Sequence, residues 1–309
     1  MSLKERIEEV AEGLRGTLGV AVKNLGTGEK ALVKGNTLFQ LASVFKVPVI
    51  VTLYRQADAG KINLDDYIEM TDYARVPGSG VLRELTPGLK LKVRDYRTLM
   101  MMISDNTATD TIVNLVGKDN VNDTMLELGL QKTKISSCRD LLFDFIGLGD
   151  VVPENRTIQL WEETVKKMLE RTPSQPPRAK GKADNVSTPG EMMMLLEMIY
   201  KGEAASKGAC DEIIGLMKKC QTGENRIWKY LPREKVELAH KTGTVRGVVN
   251  DAGIVFPKNG DPYIICAFAK DLVSKGPESM TSQAMAEATA NGEEAIAKVS
   301  KIVYEHFTT

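Results

Sequence analysis

Histidine is scarce in this chain. Only two histidines, His240 and His306, occur among 309 residues. A Ser-His-Asp site would have to use one of them, and a histidine-rich metal centre is nearly excluded. We therefore expect a metal-free protein without a cofactor, in which a serine nucleophile would need a base other than histidine.

Cysteine is also sparse, and no C-x-x-C pair is present. The cysteines lie far apart in mostly apolar surroundings, at Cys138, Cys210, Cys220 and Cys266. Such spacing is not typical of a metal site or of a dense disulfide framework. We interpret these residues as buried thiols.

The chain lacks net charge and long apolar segments. Its 41 basic residues balance 41 acidic ones, so no charge excess would attract nucleic acid or an anionic membrane. The first residues lead directly into an amphipathic helix, without the apolar core of a secretory signal. We expect a cytoplasmic protein, or a secreted or periplasmic one if a signal was removed, that binds a small molecule and neither nucleic acid nor membrane.

Strand patterns occur near both ends of the chain. Strands are predicted at residues 18–25, 30–33, 236–241, 250–256 and 263–270. Helical periodicity covers residues 3–15 and about 283–306. Because strands from both ends must pair to bury a common face, we predict a five-stranded antiparallel sheet flanked by terminal helices.

The middle of the chain is predicted to be helical. Helical patterns occur at residues 44–59, 93–103, 107–116, 121–128, 190–200 and 209–220. The predicted fold class is α/β (α+β), with an all-helical lobe of residues 41–224 inserted into a sheet lobe of residues 1–40 and 225–309. The seam between the lobes is the expected cleft. Prolines in the segment from Thr172 to Pro177 predict an exposed loop.

The segment Ser43-Val44-Phe45-Lys46 could combine a nucleophile with its base. The serine opens a predicted helix, and the lysine follows one turn later on the same side, so hydroxyl and amine are expected to touch. Apolar neighbours favour the neutral amine, which can accept the serine proton. Alone, the motif fits a capping serine and a lysine with a buried stem better than a catalytic pair.

The segment Ser104-Asp105-Asn106 connects two predicted helices. By itself it is a good helix cap. In a catalytic interpretation, Ser104 relays a proton to the leaving group and the Asn106 amide orients a substrate amide. Asp105 is expected to hold the loop together.

The segment Lys241-Thr242-Gly243 lies at the end of a predicted strand. Lys241 would supply positive charge for a substrate carboxylate, Thr242 a hydroxyl, and Gly243 room for a substrate backbone. Side chains alternate along a strand, so His240 should point away from Lys241 and serve packing or hydrogen bonding. Alone, the tripeptide is best explained as an exposed strand end.

Together, in this order, the three segments resemble the class A β-lactamase family and its penicillin-recognising relatives. The likeness extends over about residues 20 to 270. It includes Leu25 to Gly28, Phe39 to Ala42, Thr107 to Asp110, Asn185 to Pro189 and Asn250 to Val255.

The resemblance implies a set of catalytic roles. Ser43 is the acylated nucleophile and Lys46 its base partner. Ser104 is a proton shuttle, and Lys241 is a positively charged group of the same site. The implied reaction is acyl transfer from a β-lactam, or a similar amide or ester, to a serine of a hydrolase that needs no cofactor.

The resemblance also implies substrate contacts. Asn106 and Thr242, with Lys241, position a substrate that carries a carboxylate. The backbone N–H of Thr244 and that of the nucleophile form the oxyanion hole. Arg246 adds a second positive charge.

One family feature has no counterpart here. Class A β-lactamases carry a glutamate in a Glu-x-x-Leu-Asn setting that activates the water releasing the acyl group. No such segment follows the second motif, although Asp140, Asp144 and Glu154 are nearby in the sequence. Loss of such a base slows a reaction by about 10²- to 10⁴-fold.

Three functions therefore remain open at this point. The first is a β-lactamase with a displaced carboxylate. The second is an esterase, amidase or peptidase on another substrate, and the third is a penicillin-binding module that deacylates slowly. The main prediction is a serine hydrolase that works through an acyl-serine intermediate.

Overall fold

The structure is a computed structural model that describes residues 1–171, 185–273 and 282–308. Within these ranges the strands are β1 (Thr17–Asn24), β2 (Lys30–Val33), β3 (Phe39–Gln40), β4 (Tyr67–Glu69), β5 (Lys90–Lys92), β6 (Val186–Ser187), β7 (Val236–Val245), β8 (Val248–Pro257) and β9 (Tyr263–Lys270). The helices are α1 (Leu3–Glu12), α2 (Lys46–Asp58), α3 (Val93–Met102), α4 (Asn106–Val116), α5 (Lys118–Glu127), α6 (Cys138–Phe145), α7 (Ile158–Arg171), α8 (Pro189–Lys201), α9 (Lys207–Met217) and α10 (Ser282–Thr308).

The main sheet joins the two ends of the chain. Its strand order is β2-β1-β9-β8-β7, and every neighbouring pair is antiparallel. β1 pairs with β9 along its whole length, from Thr17 opposite Lys270 to Asn24 opposite Tyr263. The predicted five-stranded antiparallel sheet is confirmed.

The sheet buries both of its faces, as the alternation along β1 illustrates. Val20 and Val22 pack in a core shared with the terminal helices α1 and α10. Ala21, between them in sequence, packs in a second core that includes α2, α4 and α8. Successive side chains of a strand point to opposite faces, so one strand contributes to both cores.

Helix α2 lies inside the helical core. Its first nine residues, from Lys46 to Tyr54, are all buried, which is typical of a helix that is apolar on every side. The first of these residues is a lysine, and its charge must be compensated within the protein. The position of this lysine at the start of α2 therefore determines which polar groups its side chain can reach.

Two element boundaries near the motifs differ from the prediction. A 3₁₀ turn from Ala42 to Phe45 precedes α2, and Ala42 has a left-handed φ of 45°. Ser43 thus lies in a tight turn, not in the first turn of an α-helix. β7 continues past the predicted end to Val245, because its ladder with β8 runs to the pair Val245 and Val248.

Three further predictions concern organisation. None of the helices that the structure describes is both long and apolar enough to cross a membrane. The proline-rich segment from Thr172 to Pro177 lies outside the described residues. The division into a sheet lobe and a helical lobe stays a prediction.

Candidate active site

A cavity of about 280 Å³ brings the three motifs together. The residues that line it are Ala42, Ser43, Phe45, Gly78, Ser79, Ile103, Ser104, Asn106, Cys138, Leu141, Leu142, Thr222, Arg226, Thr242, Thr244 and Val245. The cavity therefore lies between the 3₁₀ turn, the loop before α4, helix α6 and strand β7.

The turn that carries Ser43 packs directly on β7. A Cβ added to Gly243 would lie 2.3 Å from the Leu41 carbonyl oxygen and 3.0 Å from the Ser43 nitrogen. Glycine is thus needed so that the strand can approach this turn, whereas the sequence suggested room for a substrate backbone. The same approach brings the Ser43 amide next to the strand that carries Thr244, the two implied oxyanion donors.

Lys46 is fully buried and bonds to the loop of the second motif. Its Nζ donates to the Ser104 carbonyl oxygen at 2.7 Å, to Ser104 Oγ at 2.9 Å and to Asn106 Oδ1 at 3.0 Å. Among the described residues no hydrogen bond joins Lys46 Nζ to Ser43 Oγ, the pair that helical spacing predicted to touch. Burial lowers the pKa of Lys46, although the charges of Asp105 and Asp110 oppose this effect.

Ser104 stands between two lysines. Its Oγ accepts hydrogen bonds from Lys46 Nζ and from Lys241 Nζ, the latter at 3.1 Å. Its backbone has a left-handed φ of 60°, a conformation that is unusual outside glycine and is common at functional sites. The Ser79 hydroxyl donates to the Ser104 carbonyl oxygen at 2.9 Å and so fixes this peptide.

Lys241 is fully buried in the middle of β7. Burial lowers its pKa to about 7, assisted by the charge of Lys46 and opposed by that of Cys220. Its Nζ also donates to the Thr242 carbonyl oxygen at 2.9 Å. Two buried amines with lowered pKa values around one hydroxyl are suited to exchanging protons with it.

The remaining residues of the second motif hold the loop. Asn106 donates from Nδ2 to the Pro77 carbonyl oxygen at 2.9 Å, while its Oδ1 accepts from Lys46. Asp105 accepts from the backbone amides of Val81, Leu82 and Ala108, at 2.7, 2.9 and 2.8 Å respectively. These contacts agree with the expectation that Asp105 ties the loop.

Arg226 is the cation in the cavity wall that sequence reasoning missed. It donates to Thr244 Oγ1 at 2.6 Å and to the Asn250 carbonyl oxygen at 2.8 Å, and it pairs with Glu293 at 3.1 Å. Arg246, which the resemblance suggested, is not among the residues that line the cavity. No local pattern marks Arg226, because its partners come from β7, β8 and α10.

The three candidate carboxylates lie outside the cavity wall. Asp140 pairs with Arg156 at 2.5 Å, and Glu154 is exposed in a 3₁₀ turn. Neither they nor Asp144 is among the lining residues, and helix α6 presents Cys138, Leu141 and Leu142 instead. Within the described ranges, the polar groups that line the cavity are therefore hydroxyls, an amide, a thiol and a guanidinium, without a carboxylate.

Metal binding has no support in the same ranges. In the part of the chain that the structure describes, no group of three His, Cys, Asp or Glu side chains is arranged to hold a metal ion.

Comparison with known proteins indicates one family. The model of the Beta-lactamase enzyme family matches residues 2–307. The chain is 23% identical to beta-lactamase VEB-1 of Pseudomonas aeruginosa, over 87% of this chain and 83% of that protein. It is 25% identical to a beta-lactamase of Bacteroides uniformis, over 98% of this chain and 90% of that protein.

Solved structures agree with this fold. A beta-lactamase from Sphaerobacter thermophilus aligns with a TM-score of 0.75 and 27% identity, over 98% of this chain and 96% of that one. PBP-A aligns with the same TM-score at 24% identity, over 98% of this chain and 95% of that one. The chain therefore has a fold like that of the class A beta-lactamases.

Proposed function

Because the chain belongs to the Beta-lactamase enzyme family and is a serine hydrolase of the class A type, we propose that β-lactams acylate Ser43. The observation that carries the proposal is the placement of Ser104 Oγ between Lys46 and Lys241 at the cavity that Ser43 lines. A hydroxyl bonded to two buried amines is suited to proton transfer.

In the first step, Ser43 Oγ attacks the β-lactam carbonyl carbon. The neutral form of Lys46 accepts the serine proton, and the backbone amides of Ser43 and Thr244 stabilise the oxyanion. The carbon–nitrogen bond then breaks, and Ser104 Oγ donates a proton to the ring nitrogen. Ser104 regains a proton from the lysines with which it is hydrogen-bonded.

A substrate carboxylate would bind at the β7 side of the cavity. Lys241 provides a positive charge and Thr242 provides a hydroxyl. Arg226 adds a guanidinium, and we assign to it the second positive charge that was suggested for Arg246. This assignment follows from the cavity wall, which contains Arg226 and both threonines Thr242 and Thr244.

In the second step, water releases the acyl group. The side chains that α6 presents to the cavity are a thiol and two leucines, and burial raises the pKa of Cys138 far above its usual value. A neutral thiol is a poor base for water activation. We infer that release of the acyl group is the slower step of hydrolysis.

Turnover of a chromogenic cephalosporin tests the proposal. The wild-type chain should hydrolyse the compound with an initial burst of about one equivalent, followed by slower turnover, and Ser43→Ala should show neither phase. Equal activity of Ser43→Ala and wild type would overturn the assignment. The other functions considered, an esterase, amidase or peptidase on a non-β-lactam substrate and a slowly deacylating penicillin-binding module, are not favoured by the comparisons.

A cytoplasmic location and the lack of nucleic-acid partners remain proposals. The lack of nucleic-acid partners rests on the balance of 41 basic and 41 acidic residues. Fractionation of the native cells, followed by detection of the chain in cytoplasmic and exported fractions, tests the location.

A further inference from the structure

A second polar cluster lies behind the cavity, on the face of β7 that also carries Thr242. His240 of β7 bonds through Nδ1 to Asp251 of β8, at 2.9 Å from Oδ1 and 3.2 Å from Oδ2. Both side chains are completely enclosed, with exposures of 1% and 0%. A carboxylate in this position orients the imidazole and stabilises its protonated form.

Cys220 follows α9 and is packed against the same cluster. Its Sγ lies 3.4 Å from Thr222 Oγ1, which in turn lies 2.5 Å from Thr242 Oγ1 in the cavity wall. The turn fits tightly, because a Cβ added to Gly223 would lie 2.4 Å from Thr242 Cγ2 and 3.5 Å from His240 Cε1. The Thr222 hydroxyl thus links the Cys220 thiol to Thr242 in the cavity wall.

The imidazole of His240 has one nitrogen without a hydrogen bond among the described residues. His240 Nε2 is buried and has no hydrogen bond of standard geometry within the described residues. Burial would raise the pKa of Cys220, but its interaction with His240, together with the charge of Lys241, lowers it to about 6. Burial would lower the pKa of His240, but Asp251 and Cys220 raise it to about 10.

The other cysteines differ from Cys220 in each respect. Cys138, Cys210 and Cys266 are buried, as predicted, whereas Cys220 is partly exposed, contrary to the prediction that all four are buried. Burial raises the pKa of each of the other three thiols. Only the partly exposed cysteine therefore combines access with a positively charged neighbour, the combination that makes a thiol reactive.

We propose that Cys220 is a modification site for peroxides and other soft electrophiles, activated by the His240–Asp251 pair. This site is separate from the acyl-serine chemistry of the cavity and would react without a β-lactam. Its occupant is a small electrophile that can reach a partly exposed thiol, such as a hydroperoxide.

The oxidation step balances with the groups present and the peroxide. The Cys220 thiolate attacks one peroxide oxygen, so that a sulfur–oxygen bond forms and the oxygen–oxygen bond breaks. Sulfur loses two electrons and becomes a sulfenic acid, while the leaving hydroxide takes the proton of the His240 imidazolium and departs as water.

Modification would also change the substrate cavity, and this part rests on the proposed function. The charge of the Cys220 thiolate raises the pKa of Lys241. Once the thiolate becomes a neutral sulfenic acid or thioether, Lys241 loses its proton more readily. A substrate carboxylate would then bind more weakly, and KM would rise.

Alkylation with iodoacetamide tests the site in the wild-type chain. Peptide mapping across about pH 5 to about 8.5 should show Cys220 modified first, with a half-maximal rate near pH 6. Near that pH it should react about tenfold faster than N-acetylcysteine, after allowance for the lower nucleophilicity of a less basic thiolate. Equal rates for all four cysteines, or a midpoint near 8.5, would overturn the proposal.

Two variants separate the parts of the inference. His240→Asn should move the midpoint of Cys220 alkylation toward the ordinary thiol range, and an unchanged midpoint would refute activation by His240. Hydrogen peroxide should raise the KM of the wild type for a carboxylate-bearing cephalosporin and leave that of Cys220→Ser unchanged. An equal rise in both would refute the link to the cavity, while the alkylation result does not depend on β-lactam hydrolysis.

Discussion

Ser104 Oγ lies 2.9 Å from Lys46 Nζ and 3.1 Å from Lys241 Nζ, so one hydroxyl joins two buried lysines from distant parts of the chain. If this hydroxyl delivers the proton to the leaving nitrogen, Ser104→Ala should lower the acylation rate by about 10²- to 10⁴-fold. Stopped-flow measurement with a chromogenic cephalosporin checks this.

A matched serine far from the cavity provides the control for that measurement. Ser206 caps α9 through a bond to the Ala209 amide. Ser206→Ala should cost about 1 kcal/mol of stability and leave the acylation rate unchanged. Ser104→Ala with acylation as fast as Ser206→Ala would rule out the relay.

Activity should have a pH optimum set by the two lysines. Burial lowers the pKa of Lys241 to about 7, so its ammonium is present below this pH and lost above it. KM for a carboxylate-bearing β-lactam should therefore rise above about pH 7, whereas the need for a neutral Lys46 limits acylation at lower pH. Lys241→Arg keeps its charge and should flatten the rise of KM, and an unaltered profile would argue against Lys241 as the carboxylate partner.

A carboxylate facing the cavity from α6 should speed acyl release. Cys138 Sγ lies 3.4 Å from Asn106 Oδ1, within the polar network that includes Lys46. Cys138→Asp should raise the deacylation rate by about 10²-fold, at the lower end of what general bases contribute. Cys138→Asn has the same shape without the charge, and a similar gain in both variants would show that a base was not the missing component.

The choice between two arginines can be tested with a substrate pair. Arg226→Lys should reduce kcat/KM for a carboxylate-bearing β-lactam by about tenfold or more, because an ammonium cannot keep the bonds to Thr244, Asn250 and Glu293 that hold the positive charge at the cavity wall. The methyl ester of the same β-lactam should be affected much less. Arg246→Ala should leave the ratio of kcat/KM for the acid to kcat/KM for the ester unchanged. The opposite pattern would show that Arg246, and not Arg226, binds the carboxylate.

Close packing of β7 on the nucleophile turn predicts a strong effect at Gly243. Gly243→Ala should destabilise the protein by about 1–3 kcal/mol and slow acylation, because the new Cβ would collide with the Leu41 carbonyl oxygen at 2.3 Å. Gly215 of α9 has open space around its Cβ position. Gly215→Ala should instead stabilise by about 0.5–1 kcal/mol in thermal unfolding, and similar behaviour of both variants would contradict the packing argument.

Much of the architecture follows from patterns visible in the sequence. Short apolar segments bounded by turn residues, such as residues 263–270, indicate strands, and both ends of the chain must then meet in one sheet. The order of the three motifs indicates the class A β-lactamase family. Local patterns also placed Asp105 as the residue that holds the loop before α4.

What the sequence could not supply are contacts between distant segments. The spacing of Ser43 and Lys46 predicted a direct contact, but the lysine bonds to a loop 58 residues away that offers three oxygens. Arg226 was missed because its partners Thr244, Asn250 and Glu293 are distant in sequence. Such pairings depend on tertiary packing, which local periodicity does not encode.

The site of the covalent bond tests the central claim most directly. The wild-type chain would be incubated with benzylpenicillin, quenched in acid, digested and analysed by mass spectrometry. The account predicts a penicilloyl adduct on the peptide that contains Ser43, absent from Ser43→Ala. An adduct on another residue, or one that persists in Ser43→Ala, would contradict it.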